Sequence, residues 1–460
     1  MSGGHHHHHG HDGVDADVRV SRTARLATLV LLAVVAAITM AGLVWLWPTE
    51  RVLPEGSVLT TEGIVPVRGQ ITAIEPCPAA PDAPPTGPDA GVQHACLVAQ
   101  VELDRRAGEL VDVELVGVTA WSGLQPGDGV HVAEVGATEG VPGGWSLITV
   151  DRIPVLAIFT ILFVVAVLVV AGRKGFFGLL GLVVSGVVLF GFMIPALTSG
   201  QPAVWVAIVG STAIMFVVLY LAHGVSWRTT SAFVGTWLSL LVTTGLGALG
   251  VSMARLSGIS SEETLALTNL LGDLDFPDIL TCGLVIAGLG VLNDVTITQA
   301  SSVWEVRAAG PHLSRGQLFA SGMRIGRDHI ASTIYTIVFA YAGAALSLLL
   351  LLSLYEQPLN LLLSTEQFSE EIIRTLGSGI GLVLSVPLTT GVAALTVAGA
   401  AAAGGRVGSG RRRLRHQSPT PPASDLGQGL AKLRVATLKD GGCPTSLGGA
   451  ADCLRGTGEQ

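Results

Sequence analysis

The chain has 460 residues, of which 49% are hydrophobic and only 13% are Asp, Glu, Lys or Arg, with 59 glycines besides. Soluble domains carry about 25% charged residues, so roughly half the usual water-facing charge is missing and a soluble globular enzyme is excluded. The formal net charge of -8, with basic residues in short scattered clusters, also argues against nucleic-acid binding and against a largely disordered chain.

Residues 1–25 open MSGGHHHHHGHDG and read as a disordered, His-rich tail. His5 to His9 with His11 have the chemistry to chelate a divalent metal, but a run of one residue type imposes no geometry and equally resembles an affinity tag, so both readings stay open. Residues 26–47 form the first apolar run, Leu26 to Trp47, preceded by Arg19, Arg22 and Arg25. A secretory signal would have an apolar region of about 7 to 15 residues and a small-residue cleavage site. This run is longer and ends in Trp45, Leu46, Trp47 and Pro48, which suits a retained anchor with an interfacial aromatic end.

Residues 49–152 are the long hydrophilic connection. Val111, Val113 and Leu115 alternate with Asp112 and Glu114, the period of a half-buried strand. Comparable segments run from Gly69 to Ile74, Leu97 to Leu103, Val130 to Val135 and Trp145 to Val150, with turn chemistry at Gln125-Pro126-Gly127-Asp128-Gly129. Five short strands in about 100 residues predict a small β-rich domain, OB-like in type. Cys77 and Cys96 flank a Pro-rich loop within it. On an oxidising side of the membrane they are candidates for a disulfide, which in the chain-entropy model contributes about 3 kcal/mol; two unpaired thiols are the alternative. Cys282 falls in an apolar run and reads as packing, while Cys443 and Cys453 lie in the tail, and no C-x-x-C spacing supports zinc or redox chemistry.

Residues 153–403 contain seven further apolar runs: Ile153 to Ala171, Phe176 to Ala196, Ala203 to Ala222, Ala232 to Val251, Ile279 to Gln299, Ile330 to Leu354 and Gly377 to Ala403. Each is long enough for a hydrocarbon core of about 30 Å. Gly172 to Gly175, enclosing Arg173 and Lys174, reads as a tight hairpin between two of them. The chain is therefore expected to be an α-helical polytopic membrane protein with about eight transmembrane helices and one small extracytoplasmic β-rich domain. With the N-terminus inside, the inner connections receive Arg173 and Lys174, Arg228, then Arg307, Arg315, Arg324 and Arg327, and finally Arg411, Arg412, Arg413 and Arg415. The outer ones receive Glu262, Glu263, Asp273, Asp275 and Asp278, then Glu356, Glu366, Glu370 and Glu371, with Arg255 and Arg374 as their basic flanks. That asymmetry predicts cytoplasmic termini on both sides. Residues 404–460, rich in Gly, Pro, Ser and Arg, read as a disordered cytoplasmic tail whose RRRLRH cluster faces anionic lipid.

Ionisable residues inside a span cost about 2.5 to 3.5 kcal/mol each and so mark sites by default. Asn293 and Asp294 lie fourteen and fifteen residues into the span from Ile279, about 22 Å down at 1.5 Å per residue. Gly283, Ala287, Gly290, Asp294, Thr298, Ser301 and Glu305 share one helical face, and small residues let a neighbouring helix approach, so this face is expected to be covered by protein. The next span is approached through Ser314, a candidate N-cap, and brings Arg324, Arg327 and Asp328 to the same boundary, with Arg324 and Asp328 spaced to pair. Asn293, Asp294, Arg324, Arg327 and Asp328 are thus the candidate intramembrane polar site. A proton or cation site competes here with an interhelical hydrogen bond, and the arginines are explained in part by positive-inside anchoring alone.

Other motifs carry less. Gly245, Gly247 and Gly250 match G-x-G-x-x-G but lie inside an apolar span with no preceding strand, and read as packing. Gly377, Gly381, Ser385 and Thr389 form a second small-residue face of the same kind. Pro195 and Pro387 are placed to bend their helices. Motifs for ATP binding, zinc hydrolysis or a nucleophilic triad are missing from the sequence, so neither an enzyme nor a cofactor is expected.

The segments GLGVLNDVTITQASSVWEV and GMRIGRDHIASTIYTIVFAYAG resemble the YibE/F-like family of bacterial multi-pass membrane proteins, and the likeness runs from about Leu53 to Ala400. Asp294, Arg327 and Asp328 fall on polar positions of that family, whereas Tyr335 stands where Asn is expected. The resemblance implies a permease-like architecture in a bacterial cytoplasmic membrane. The expected function is movement of a small solute or ion, with the lipid bilayer as its surroundings, no nucleic-acid partner, and an oligomeric state the sequence leaves open. A non-transporting envelope protein, whose external domain binds a partner, is the competing class.

Overall fold

A computed structural model describes residues 20–48, 65–76, 97–104, 108–115, 119–120, 122–136, 143–354 and 357–397. Cys77, Cys96, Cys443, Cys453, the histidines at 5–9 and 11, and the RRRLRH cluster lie outside the described residues.

Helix α1 spans Arg22–Trp45, and the Ser21 side chain accepts a hydrogen bond from the Ala24 amide at its start. Five strands follow: β1 Val67–Pro76, β2 Leu97–Leu103, β3 Leu110–Leu115, β4 Gly129–Val135 and β5 Gly144–Val150. They fall on the five alternating segments, and their inward positions, such as Ile71, Val101, Val113 and Val132, are fully buried. The strands close into a barrel in the order β1-β2-β3-β5-β4. All neighbours are antiparallel except β3 and β5, which pair in parallel at Val113 and Trp145. This is the five-stranded crossover expected of an OB-like barrel. The turn before β4 is held by Gly127, whose φ of 102° only glycine adopts freely, and by the Asp128 carboxylate accepting from the Gln125 amide at 2.8 Å.

Barrel and helices meet at Asp151. Its buried carboxylate pairs with Arg68 at 2.8 Å and accepts from the Ile153 amide at the start of the next helix. That helix, α2, covers Ile153–Val188 and is interrupted at Gly172 (φ 55°, ψ -131°). A Cβ on Gly175 would lie 2.6 Å from the Val167 carbonyl oxygen, so the chain folds back on itself there; in a straight helix eight residues span about 12 Å. A π-helical turn at Leu189–Met193 leads into α3, Ile194–Thr198, which carries Pro195 in its first turn.

The remaining helices are α4 Ala203–His223, α5 Trp227–Met253, α6 Glu262–Leu270, α7 Phe276–Ala309, α8 Arg315–Ala344, α9 Leu346–Ser353, α10 Leu359–Leu363 and α11 Glu366–Thr396. Among the described residues, six helices are long and apolar enough to cross a membrane: α1, the stretch Ile153–Thr198, α4, α5, α7 and α11. This is fewer than the eight expected from hydropathy. Two expected runs merge into the single stretch through Gly172, and α8 carries Arg324, Arg327 and Asp328 in its polar first half.

α5, α7 and α11 pack together at the centre, with α8 against α7 and α11, and α4 against α5 and α7. Close packing rests on glycine. Gly235 faces Thr389, Gly381 faces Thr243, and Leu284 fills the space beside Gly247 and Gly377. Of the two glycine patterns read as packing faces, the α11 face packs throughout, whereas on α5 Gly247 and Gly250 pack and Gly245 stands exposed. Between these helices runs a buried seam of hydroxyls, most of which donate to the carbonyl four residues earlier, such as Ser239 to Gly235 and Thr243 to Ser239. Thr236 and Thr296 bridge α5 and α7 at 2.5 Å.

Candidate functional site

The α7–α8 pair begins from well-formed ends. Asp275 caps α7 by accepting from the Asp278 amide. Ser314 caps α8, and Gln317 completes a capping box by accepting from the Ser314 amide at 2.9 Å. Between the two helices, buried Arg307 donates through Nη1 to the carbonyls of Pro311 (3.1 Å) and Leu313 (2.9 Å). The sequence placed this arginine among the basic flanks; the structure uses it to pin the connecting turn.

Gln299 fixes the register. It is 2% exposed, and its Nε2 donates to the Gly322 carbonyl on α8 at 2.8 Å and to Thr390 Oγ1 on α11 at 2.7 Å. Gly322 and Gly326 make room for it, since a Cβ on Gly326 would meet Gln299 Oε1 at 2.9 Å and press into Val386. A buried amide bridging three helices was missed in the sequence reading. The available signal was a glutamine within an apolar span, opposite glycines four apart on the next helix.

Asn293 and Asp294 lie six and five residues from Gln299, about 9 and 7.5 Å along the axis, and face differently. Asn293 is half-buried, and its Oδ1 is buried without a hydrogen-bond partner; on α8, at about the same level, buried His329 Nε2 is likewise unpartnered. Asp294 is exposed, and so are Gly283, Ala287, Gly290, Thr298 and Glu305 on its face, with Ser301 half-buried. The expectation that protein covers this face is therefore corrected. The side of α7 that packs is the opposite one: Leu284, Val285, Gly288, Leu292, Val295, Thr296 and Gln299. Small and hydroxyl-bearing residues occupy both sides of α7, and burial follows the side that also carries the large aliphatic groups, where more apolar area leaves solvent.

The α8 residues also separate. Arg324, Arg327 and Asp328 are all exposed, and the expected Arg324–Asp328 pair does not form; none of the three has an ion pair among the described residues. Among the charges that act on His223, at the end of α4, are Arg228, Lys174 of the α2 turn and, most weakly, Asp294. His223 lay outside the sequence-based site because it sits at a span boundary, where a lone histidine carries no motif. Asp294 is thus an open-faced carboxylate on α7, in weak electrostatic range of the His223 imidazole of α4, with the half-buried Asn293 beside it in sequence.

At the opposite end of the bundle, α11 grips the loop before α6. Glu366 accepts from the Ser257 amide, and Glu370 from Ser260 Oγ at 2.7 Å. Arg374 pairs with Glu371 at 2.8 Å. Among the described residues no group of three His, Cys, Asp or Glu side chains is arranged to hold a metal ion.

A family model described as YibE/F-like protein matches residues 159–399, from within α2 to the residues just past α11. The match does not include the barrel, to which the likeness was expected to extend. No curated protein and no solved structure matches the chain.

Proposed function

The chain belongs to the YibE/F-like family, and from that premise we propose that it is a permease of the bacterial cytoplasmic membrane, moving a small solute or ion with Asp294 as the coupling carboxylate. Eight crossings fit this reading. The 46 residues of Ile153–Thr198 would extend about 69 Å as one helix, over twice the hydrocarbon core of about 30 Å, and they divide at Gly172. α8 continued by α9 supplies the eighth crossing from Ile330 onward. Both termini are then cytoplasmic and the barrel is extracytoplasmic, which agrees with the distribution of Lys and Arg.

The observation that carries the reading is the setting of Asp294: a carboxylate in a crossing helix, on an open face, within electrostatic range of His223. An ionised carboxylate in hydrocarbon needs a partner or an aqueous route. In this reading a proton or cation supplies the first, and solvent reaching the open face of α7 supplies the second. Taking up a proton at the Asp294 carboxylate discharges this face, and releasing it restores the charge. That alternation is the elementary step of coupled transport.

Proteoliposomes holding the full chain and a trapped pH-sensitive dye test the idea. Imposed pH gradients are expected to drive proton flux that Asp294→Asn and Asp294→Ala both reduce at least about tenfold, the scale of a lost acid–base group. Flux unchanged in well-folded variants removes the coupling role.

A second reading is carried by the barrel, which has a closed hydrophobic core of its own and is of a type whose strand faces and loops bind ligands. In it the chain is an envelope protein, the barrel binds a partner and the helices anchor it. Deleting residues 55–150 would then abolish the cellular phenotype while Asp294 substitutions leave it intact.

A further inference from the structure

α1 and α4 touch closely towards one end, where Gly42 meets Val209, and spread apart towards the other. The spread leaves a cleft of about 730 Å³, within the usual range for ligand sites of about 300 to 1,000 Å³. Its walls are Leu29 and Leu32 of α1, Phe216 and Tyr220 of α4, and Trp227 with Thr230 of α5. The hydroxyls on these walls are already used. Tyr220 donates to Thr230 Oγ1 at 3.0 Å, Thr230 donates to the Ser226 carbonyl at 2.9 Å, and Ser226 Oγ accepts from the Thr229 amide. An occupant therefore meets largely hydrocarbon walls, on which, among the described residues, the Trp227 indole N–H is the donor left over.

The mouth is different. Arg22, Arg25, Leu29 and Leu32 follow one face of α1 at helical spacing. The Arg25 guanidinium lies 5.4 Å over the Trp227 ring, with Arg22 one turn before it on the same face of α1. Among the described residues neither arginine has an ion pair, so the mouth carries uncompensated positive charge. An apolar cleft between membrane helices, ending in arginines at a helix terminus, is complementary to one class of molecule.

We propose that this cleft binds one anionic phospholipid from the leaflet on the Arg25 side, with an acyl chain against Leu29, Phe216 and Tyr220 and the phosphate at Arg22 and Arg25. The lipid ties α1 to the α4–α5 corner at the end where the helices themselves diverge. A second copy of the chain, or another segment of it, are the rival occupants, and neither distinguishes one lipid headgroup from another.

The full chain reconstituted in equimolar phosphatidylglycerol and phosphatidylcholine, with a trace of either lipid bearing a photoreactive acyl chain, tests the proposal. Peptides containing Leu29 and Tyr220 are expected to be labelled roughly tenfold more by the phosphatidylglycerol probe, since each arginine near the surface favours anionic lipid. Arg22→Gln with Arg25→Gln should lower that labelling to the phosphatidylcholine level, and Arg22→Lys with Arg25→Lys should retain the preference. Leu29→Trp, which fills the cleft, should remove labelling of Tyr220 by both probes. Equal labelling by the two probes in the unaltered chain overturns the proposal. So does phosphatidylglycerol labelling that survives the double glutamine substitution, or absence of either probe from these peptides.

Discussion

Asp294 and Gln299 lie five residues apart on α7 and meet opposite surroundings, which is why their substitutions should report different things. Gln299 is an internal brace: Gln299→Leu removes hydrogen bonds to Gly322 and Thr390 and is expected to lower stability by about 1 to 2 kcal/mol, read from thermal unfolding of the detergent-solubilised chain. Gly326→Ala should cost about 1 to 3 kcal/mol by overpacking against Gln299 and Val386. Gly290→Ala, on the open face where nothing lies within 4 Å, should change stability by no more than about 0.5 kcal/mol or raise it slightly. If the two glycine substitutions behave alike, the assignment of packed and open faces on α7 fails. Asp294 itself is predicted to affect flux rather than folding, and His223→Gln should weaken flux less than Asp294→Asn. The sequence marked Asp294 because a charge in an apolar run stands out. It did not mark His223 or Gln299, whose importance comes from what other helices bring to them.

The ends and breaks of elements were the most legible local features. Ser314 reads as a helix start in the sequence and does cap α8; the structure adds Gln317 to that cap and Asp275 as the cap of α7. The charged, glycine-flanked link at Gly172 to Gly175 likewise marks a turn. Gly172→Ala is expected to cost about 1 to 3 kcal/mol, because its positive φ is one an L side chain rarely adopts; unchanged thermal stability would mean that the turn relaxes to another conformation. In the barrel, Pro76 and Leu97 are paired partners at the last step of the β1–β2 ladder. The residues that follow and precede them in sequence are Cys77 and Cys96. Intact mass of the protein isolated without reductant should be lower by two hydrogens and should return to the thiol value after reduction, and free thiols at both positions would remove the disulfide.

At the scale of the whole molecule, barrel and helices have separate cores. The barrel encloses Ile71, Val101, Leu103, Val113 and Val132, while the helical core gathers around Phe233, Leu240 and Val285. Residues 49–152 produced alone should therefore unfold cooperatively with a β-type circular dichroism spectrum, and a non-cooperative melt would mean that the barrel depends on the helices. The amino-acid sequence by itself determined that helices of membrane-spanning length form, that five strands alternate inward and outward, that Ser314 caps a helix and that the chain turns at Gly172. All of these follow from run length, from periods of two or 3.6 residues, and from backbone chemistry confined to a few neighbours. Only the tertiary structure decided which side of α7 is buried, that Gln299 joins three helices, and that the expected Arg324–Asp328 pair does not form. Small and hydroxyl-bearing residues line both sides of α7, so periodicity alone is degenerate there, and the choice belongs to the helices that supply the opposing surface.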